Sequence, residues 1–258
     1  MPDKPAIHQS TLAMLYKCPK QYEFRYIQGL IRLPGVAMVT GTGVHRAVEA
    51  DLSHKIEAGE LLPDEAVADM ARDAVVAEWE RGVEVNEAKE GTPDEAKAGA
   101  IDRAVSLASL HHGVLAPSLE PISVERRWKL DLEGYPYDLA GTIDIEEPHA
   151  LRDTKTAAKS PAKTAADDSL QLTAYAVAIK YCNGALPSRL CLDHLVSLKT
   201  PKIVTLETTR TERHVELFLR RLEVAMRQLE AGVFPPTDPS NWWCGPRWCG
   251  FFKECPYV

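Results

Sequence analysis

The chain has 258 residues, 45% of them hydrophobic and 26% charged, enough to bury a core in one large domain and too apolar for a disordered chain. Its net charge of -7 excludes a surface coated in positive potential but leaves room for a local basic groove. No run of about 18 apolar residues and no charged, apolar, small-residue leader occurs, so neither a membrane span nor secretion is expected, and the expected location is the cytoplasm of a bacterial or phage-infected cell.

From Ser10, "STLAMLYKCPKQYEFRYIQGL" predicts a short helix capped by Ser10 and a second that starts at Pro19 and stops at Gly29. "GTGVHRAVEADLSHKIEAG" predicts a glycine turn and then a helix, with Val44, Val48 and Leu52 on one face and His45 in the first turn. Residues 63–87 and 94–115 read as two further amphipathic helices, and most of the acidic surplus lies between residues 45 and 102, on solvated helix faces.

At Pro121 the pattern turns β-branched and alternating. "ISVERRWKLDLEG", "YDLAGTIDIEE" and "ALRDTKTA" predict a three-stranded meander with turns at Gly134 and Pro148. A helix follows with Leu170, Ala174, Val177 and Tyr181 on one side and Asn183-Gly184 as its stop. A hairpin comes next, from "RLCLDHLVSL" and "KIVTLETT", and then a last helix over about 212–231. Helices first and a strand-rich second half predict an α/β fold.

Two strand periods carry the chemistry. In "RDTK", Asp153 and Lys155 are two residues apart, so both project from one face, and a hairpin with "GTIDI" can bring Asp144 beside Asp153. Adjacent carboxylates repel unless a cation sits between them, and oxygen donors suit Mg²⁺ or Mn²⁺. A lysine there can orient a water or stabilise charge on a phosphate. Taken alone, an Asp-x-Lys pair is also an ordinary weak ion pair on a solvated strand edge.

In order along the chain, "GTGVH", "GTID", "DTK" and "QLTAY", with Glu125 on the preceding strand, resemble the motifs of the PD-(D/E)XK nuclease superfamily, in its RecB-like branch. The resemblance spans Leu12 to Cys255. It implies a restriction-endonuclease-like core with a central mixed sheet flanked by helices, a single nuclease domain over 1–258, and a helical insertion over 60–118. It also implies that His45, Asp144 and Asp153 are metal ligands, with the Thr154 carbonyl as a further oxygen. Lys155 would be the catalytic lysine, and Gln171 and Tyr175 would support the site or touch DNA. Glu125 matches a family acid, with pairing to Arg126 or Arg127 as the alternative. His45 could instead be a surface or capping group, and Gln171 and Tyr175 plain helix surface.

Cys244, Cys249 and Cys255 crowd the C-terminus while Cys18 stands alone near the start, and four thiolates can hold a zinc or a 4Fe-4S cluster. One cysteine far upstream and three downstream resembles the iron-sulfur RecB-like and CRISPR-associated exonucleases. That implies an iron-sulfur subdomain formed by 236–258 with the Cys18 region. The four residues between Cys244 and Cys249 depart from the two usual in that group, and structural Zn²⁺ stays open as the alternative. Cys182 and Cys191 read as buried thiols. Trp242, Trp243, Trp248, Phe251 and Phe252 are expected to pack around the cluster, with stacking of unpaired bases as the lesser alternative.

The resemblance implies a metal-dependent DNA exonuclease acting on single-stranded or frayed ends. It would serve recombination, repair or CRISPR adaptation, alone or with partner proteins. The rival is a DNA-end-binding module with a structural metal or cluster and no turnover.

Overall fold

The computed structural model describes residues 4–258. A short strand, β1 (Ala6–His8), runs into α1 (Gln9–Lys17), α2 (Pro19–Tyr22) and a π-helical turn over Glu23–Ile27. The expected Ser10 cap is not used: α1 begins at Gln9, with no side-chain cap bond at His8. Three residues of β1 are too few to show a strand period in sequence.

The next helix, α3 (Val36–Ala58), absorbs the whole GTG stretch that the spacing predicts as a turn. A Cβ on Gly43 would come within 2.6 Å of Val75 and 2.9 Å of the Ala71 carbonyl, so this glycine is required where α4 (Asp64–Glu80) presses against α3. His45 therefore stands in the third turn of α3 and not in its first. After α5 (Glu87–Glu90), α6 (Pro93–Leu110) starts with a reciprocal Thr92/Glu95 capping box and runs into a π-helical turn over His111–Leu115. The faces joining α3, α4 and α6 are rich in small residues: Ala47, Ala71, Ala100 and Ala104 are fully buried. Such side chains let helix axes approach closely.

The meander is present as β2 (Ser123–Leu130), β3 (Asp138–Glu147) and β4 (Ala150–Ala157), antiparallel throughout. From β4 the chain crosses through α7 (Leu170–Asn183) to β5 (Leu190–Val196), which lies parallel to β4; β6 (Lys202–Thr208) returns antiparallel, and α8 (Glu212–Ala231) follows. The order β1-β3-β4-β5-β6, with β2 paired to β3, makes a central mixed sheet.

Helices cover both faces of this sheet. On one side Leu12, Leu15, Leu172, Val177, Phe218 and Leu222, from α1, α7 and α8, pack on Leu139, Ile143 and Leu190. On the other, Val44, Leu52, Val75 and Leu107 pack with Ile145 and Leu195. Each such side chain contributes roughly 1.5–3 kcal/mol by leaving water, which fixes the strands from above and below. No helix among the described residues is long and apolar enough to cross a membrane.

Three details differ from the sequence expectation. Tyr181 and Cys182 are exposed, because the last turn of α7 is exposed through to its Gly184 cap, whereas Cys191 on the central strand β5 is fully buried. The aromatic residues of the C-terminal segment divide. Phe251 is buried against Phe24, while Trp242 and Trp248 are more than half exposed and meet edge to face.

Candidate metal centre

The site begins with a gap in the ladder. Since β2 occupies one edge of β3 along Leu139–Glu146, β1 and β4 must share the other, β1 at Asp138–Ala140 and β4 at Ile145–Glu147. Residues 141–144 are left without a strand partner on that edge. The β3–β4 register, continued one residue past Ile145↔Arg152, sets Asp144 opposite Asp153. Where the strands part, the Asp144 side chain replaces the missing ladder: its Oδ2 accepts from the Thr154 amide at 3.0 Å. Thr154 thus binds the carboxylate through its backbone N–H.

Asp153 and Lys155 project together, as the strand period requires. Lys155 Nζ donates to Asp153 Oδ1 at 2.8 Å and to Gln171 Oε1 at 2.9 Å. Gln171 Nε2 donates to the Tyr175 hydroxyl at 2.9 Å, and that hydroxyl donates to Asp144 Oδ1 at 2.9 Å. A continuous chain of bonds therefore links Asp153 to Asp144 through Lys155, Gln171 and Tyr175. Ser169 starts α7 by accepting from the Leu172 amide, which fixes the helix end that presents Gln171. Tyr175 is buried inside the sheet–helix interface; burial, then the charges of Asp144 and Asp153, raise its pKa well above the ordinary value, so it stays a donor.

Asp153 is fully buried, and its Oδ2 has no hydrogen-bond partner among the described residues. Burial first, and then the charge of Asp144, raise its pKa, with Lys155 opposing. An unpartnered carboxylate oxygen beside a second carboxylate is costly unless a cation completes it.

A third acid arrives from β2. Glu125 lies opposite Asp144 in the β2–β3 register, and that pair alone is missing from an otherwise unbroken run of partners. Its φ of 47° is the one left-handed non-glycine backbone among the described residues. That conformation costs about 1–3 kcal/mol and is held only where the surroundings impose it. Glu125 pairs with neither adjacent arginine; Arg126 binds Glu146 instead. Its Oε1 is 3.8 Å from His45 Nδ1, and Asp144 Oδ2 is 3.7 Å from the same nitrogen.

His45, Glu125 and Asp144 thus offer three donor atoms within 4.8 Å of one another. Asp153 stands beside this group. Two carboxylate oxygens and an imidazole nitrogen suit a hard or borderline divalent cation such as Mg²⁺ or Mn²⁺. For His45, burial lowers the pKa, but the bond to Glu125 and the charge of Asp144 outweigh it and the net shift is upward. The recess around these groups, of about 570 Å³, is open to solvent and also lined by Arg46 and Arg127.

Sequence reasoning passed over the layer supporting β4. Arg152 Nη1 binds Asp193 on β5 at 2.9 and 3.1 Å, its Nε binds Glu147 at 2.6 Å, and Thr205 on β6 donates to Asp193. The available signal was a charged residue, Arg152 or Asp193, directly after an apolar stretch in each of two strands. Buried ionic groups of this kind are retained only when fully bonded.

Cys18, Cys244, Cys249 and Cys255 line one small pocket with Gln21, Phe24 and Thr237. Gln21 Nε2 donates to Cys249 Sγ at 3.2 Å and the Thr237 amide to Cys18 Sγ at 3.4 Å, contacts suited to thiolate acceptors. The Cys244 pKa is raised by burial and then by the other three thiols. Residues 226 positions apart, Cys18 and Cys244, are brought together here.

Residues 7–256 match the family described as the PD-(D/E)XK nuclease superfamily. Among solved structures, a candidate exonuclease from Eubacterium rectale shares the fold at TM-score 0.55 and 12% identity, over 93% of this chain and 86% of its own. A second structure, SSO0001, aligns at TM-score 0.38 and 13% identity over 100% of this chain and 88% of its own. Comparison with the curated proteins finds no match.

Proposed function

The chain belongs to the PD-(D/E)XK nuclease superfamily, and from that premise we propose that it is a divalent-metal-dependent deoxyribonuclease that hydrolyses phosphodiester bonds from single-stranded or frayed DNA ends. One observation carries the metal dependence: His45, Glu125 and Asp144 converge within 4.8 Å beside a buried Asp153 whose Oδ2 lacks a partner. Such a donor set would hold Mg²⁺ or Mn²⁺, which when bound supplies an acidified water and takes up charge on the leaving oxygen.

The remaining work falls to the chain. Lys155, 40% exposed at its side chain and anchored by Asp153 and Gln171, presents its ammonium to the recess, where it stabilises charge on the attacked phosphate and orients the incoming water. Tyr175 and Gln171 hold Asp144 and Lys155 at fixed separation, so little reorganisation accompanies reaction. Arg46 and Arg127 at the rim attract the strand, making binding fall with salt.

The four-thiol pocket is read as a 4Fe-4S site. Cys18, Cys244, Cys249 and Cys255 line one pocket, and Gln21 and the Thr237 amide donate to two of the sulfurs, which supports ligation by four thiolates; a cluster there would fasten the Cys18 region to residues 236–258, with structural Zn²⁺ as the alternative occupant.

End-labelled single-stranded DNA incubated with Mn²⁺ and the wild type, Lys155→Ala or Asp153→Ala tests the enzyme reading. Cleavage by the wild type alone supports it; binding without cleavage by all three turns the site into an end-binding module. An anaerobic preparation that is brown, with absorbance near about 400 nm, supports the cluster, whereas colourless protein with one zinc per chain overturns it.

A further inference from the structure

A second recess, of about 360 Å³, adjoins the metal centre. Ala37 and Thr156 line both, so the wall passes from one to the other without interruption. Its far side is α6, from which Arg103 enters. Arg103 is exposed and, among the described residues, forms no ion pair and no hydrogen bond. Its guanidinium lies over Gly99, where a Cβ would stand 3.1 Å from Nη1.

The acids of this recess are already committed. Glu95 Oε2 accepts from the Thr92 amide at 2.8 Å and its hydroxyl at 2.9 Å, and Glu90 accepts from the Asn86 amide at 3.0 Å while facing Lys89 at 3.8 Å. Arg103 thus keeps its guanidinium out of any ion pair among the described residues, in a cleft where Lys89 faces Glu90 and the Glu95 carboxylate is held by the Thr92 cap.

We infer that this second recess is a subsite for the DNA strand next to the scissile phosphate, with Arg103 holding a backbone phosphate. The inference rests on the nuclease reading of the adjoining site. Lys155 of the first recess and Ala157 of the second are two strand residues, about 7 Å, apart, so one short single strand can run across both. A guanidinium suits this task because its planar fork can bind two phosphate oxygens at once.

The test is steady-state cleavage of a single-stranded 12-mer and of a dinucleotide by wild type, Arg103→Ala and Arg103→Lys with Mn²⁺, over a range of salt. Arg103→Ala should raise KM for the 12-mer about three- to tenfold and reduce the slope of log(kcat/KM) against log[salt] by about 0.7. Arg103→Lys should recover most of the slope, and the wild-type preference for the 12-mer over the dinucleotide should shrink in Arg103→Ala. A wild-type KM and salt slope in Arg103→Ala overturns the inference, as does a raised KM with an unaltered slope. If the wild type cuts neither substrate, the nuclease reading fails by itself, and the same slope comparison on 12-mer binding, followed by fluorescence anisotropy, decides the subsite.

Discussion

The backbone amide of Thr154 donates to Oδ2 of Asp144 at 3.0 Å, so a side chain on β3 does the work of a ladder carbonyl at the point where β3 and β4 separate. The bond has two effects. It satisfies an amide that the parting strands would leave bare, and it turns the Asp144 carboxylate toward Tyr175, His45 and Glu125.

Asp153 is buried beside Asp144 with its pKa raised, so its neutral isostere should stabilise the metal-free fold. The sign follows from the raised pKa: the folded state holds the proton more tightly than the unfolded chain, so the carboxylate costs stability as pH rises above the ordinary carboxyl range. Asp153→Asn in EDTA at pH 7.5 should gain about 1–2 kcal/mol, a few degrees of Tm for a chain of this size. Its cleavage rate should fall at least about a thousandfold, and Mn²⁺ should raise the Tm of the wild type far more than that of the variant. Thermal melts with and without Mn²⁺, beside a DNA cleavage assay, check both halves.

His45 carries a raised pKa, so in the metal-free protein a proton competes for the nitrogen that faces Glu125 and Asp144. Binding a cation must displace it, and Mn²⁺ affinity should climb between pH 6 and 8, by up to about tenfold per unit below that pKa. Calorimetric titration of Mn²⁺ at several pH values should show a steep rise for the wild type and a shallow one for His45→Ala.

Tyr175→Phe keeps the packing of α7 on the sheet but removes the hydroxyl between Gln171 and Asp144. A lost hydrogen bond to a buried carboxylate costs about 1.5–3 kcal/mol. Urea unfolding should register that loss, and kcat should fall because Lys155 and Asp144 are no longer held by one chain of bonds. Stability equal to the wild type would mean that the hydroxyl is idle.

His111 is fully buried with neither ring nitrogen partnered among the described residues, and burial, followed by Arg152, His112 and His45, lowers its pKa to about 3. It stays neutral in the fold while the unfolded chain takes up a proton below about pH 6.5. Its share of stability is therefore intact above that pH and is lost at up to about 1.4 kcal/mol per pH unit on acidification. Next to it His112, bonded to Asp51 and Asp64, has a pKa raised despite burial. Its contribution is complete below about pH 6.5 and lost above, so the two windows do not overlap. His111→Leu should be stabilised relative to the wild type, by a margin that grows from pH 7.5 to pH 5 in urea unfolding.

Much of the architecture was written in local patterns. The Asp153-Lys155 pair shares a face because strands alternate, Gln171 and Tyr175 share one because a helix returns after four residues, and the helices α4, α6, α7 and α8 follow their apolar stripes. The family motifs added the order in which these pieces meet. The GTG stretch misled for a physical reason: glycine serves turns and close helix contacts alike, and only the presence of Val75 and Ala71 opposite Gly43 chooses the second.

By itself, then, the sequence determined most of the longer elements, the faces on which the acids and the lysine lie, and the thiols available near the start and the end, since each depends on neighbours within a turn or a strand repeat. The tertiary structure decided that Glu125 joins His45 and Asp144 while Asp153 is buried beside them, because that outcome depends on β1 and β4 sharing one edge of β3 and on a left-handed backbone at Glu125. It likewise put Arg103 on the recess that adjoins the metal centre and Cys18 in one pocket with Cys244. Contacts between residues so far apart in the chain are set by how the layers pack, which no local period encodes.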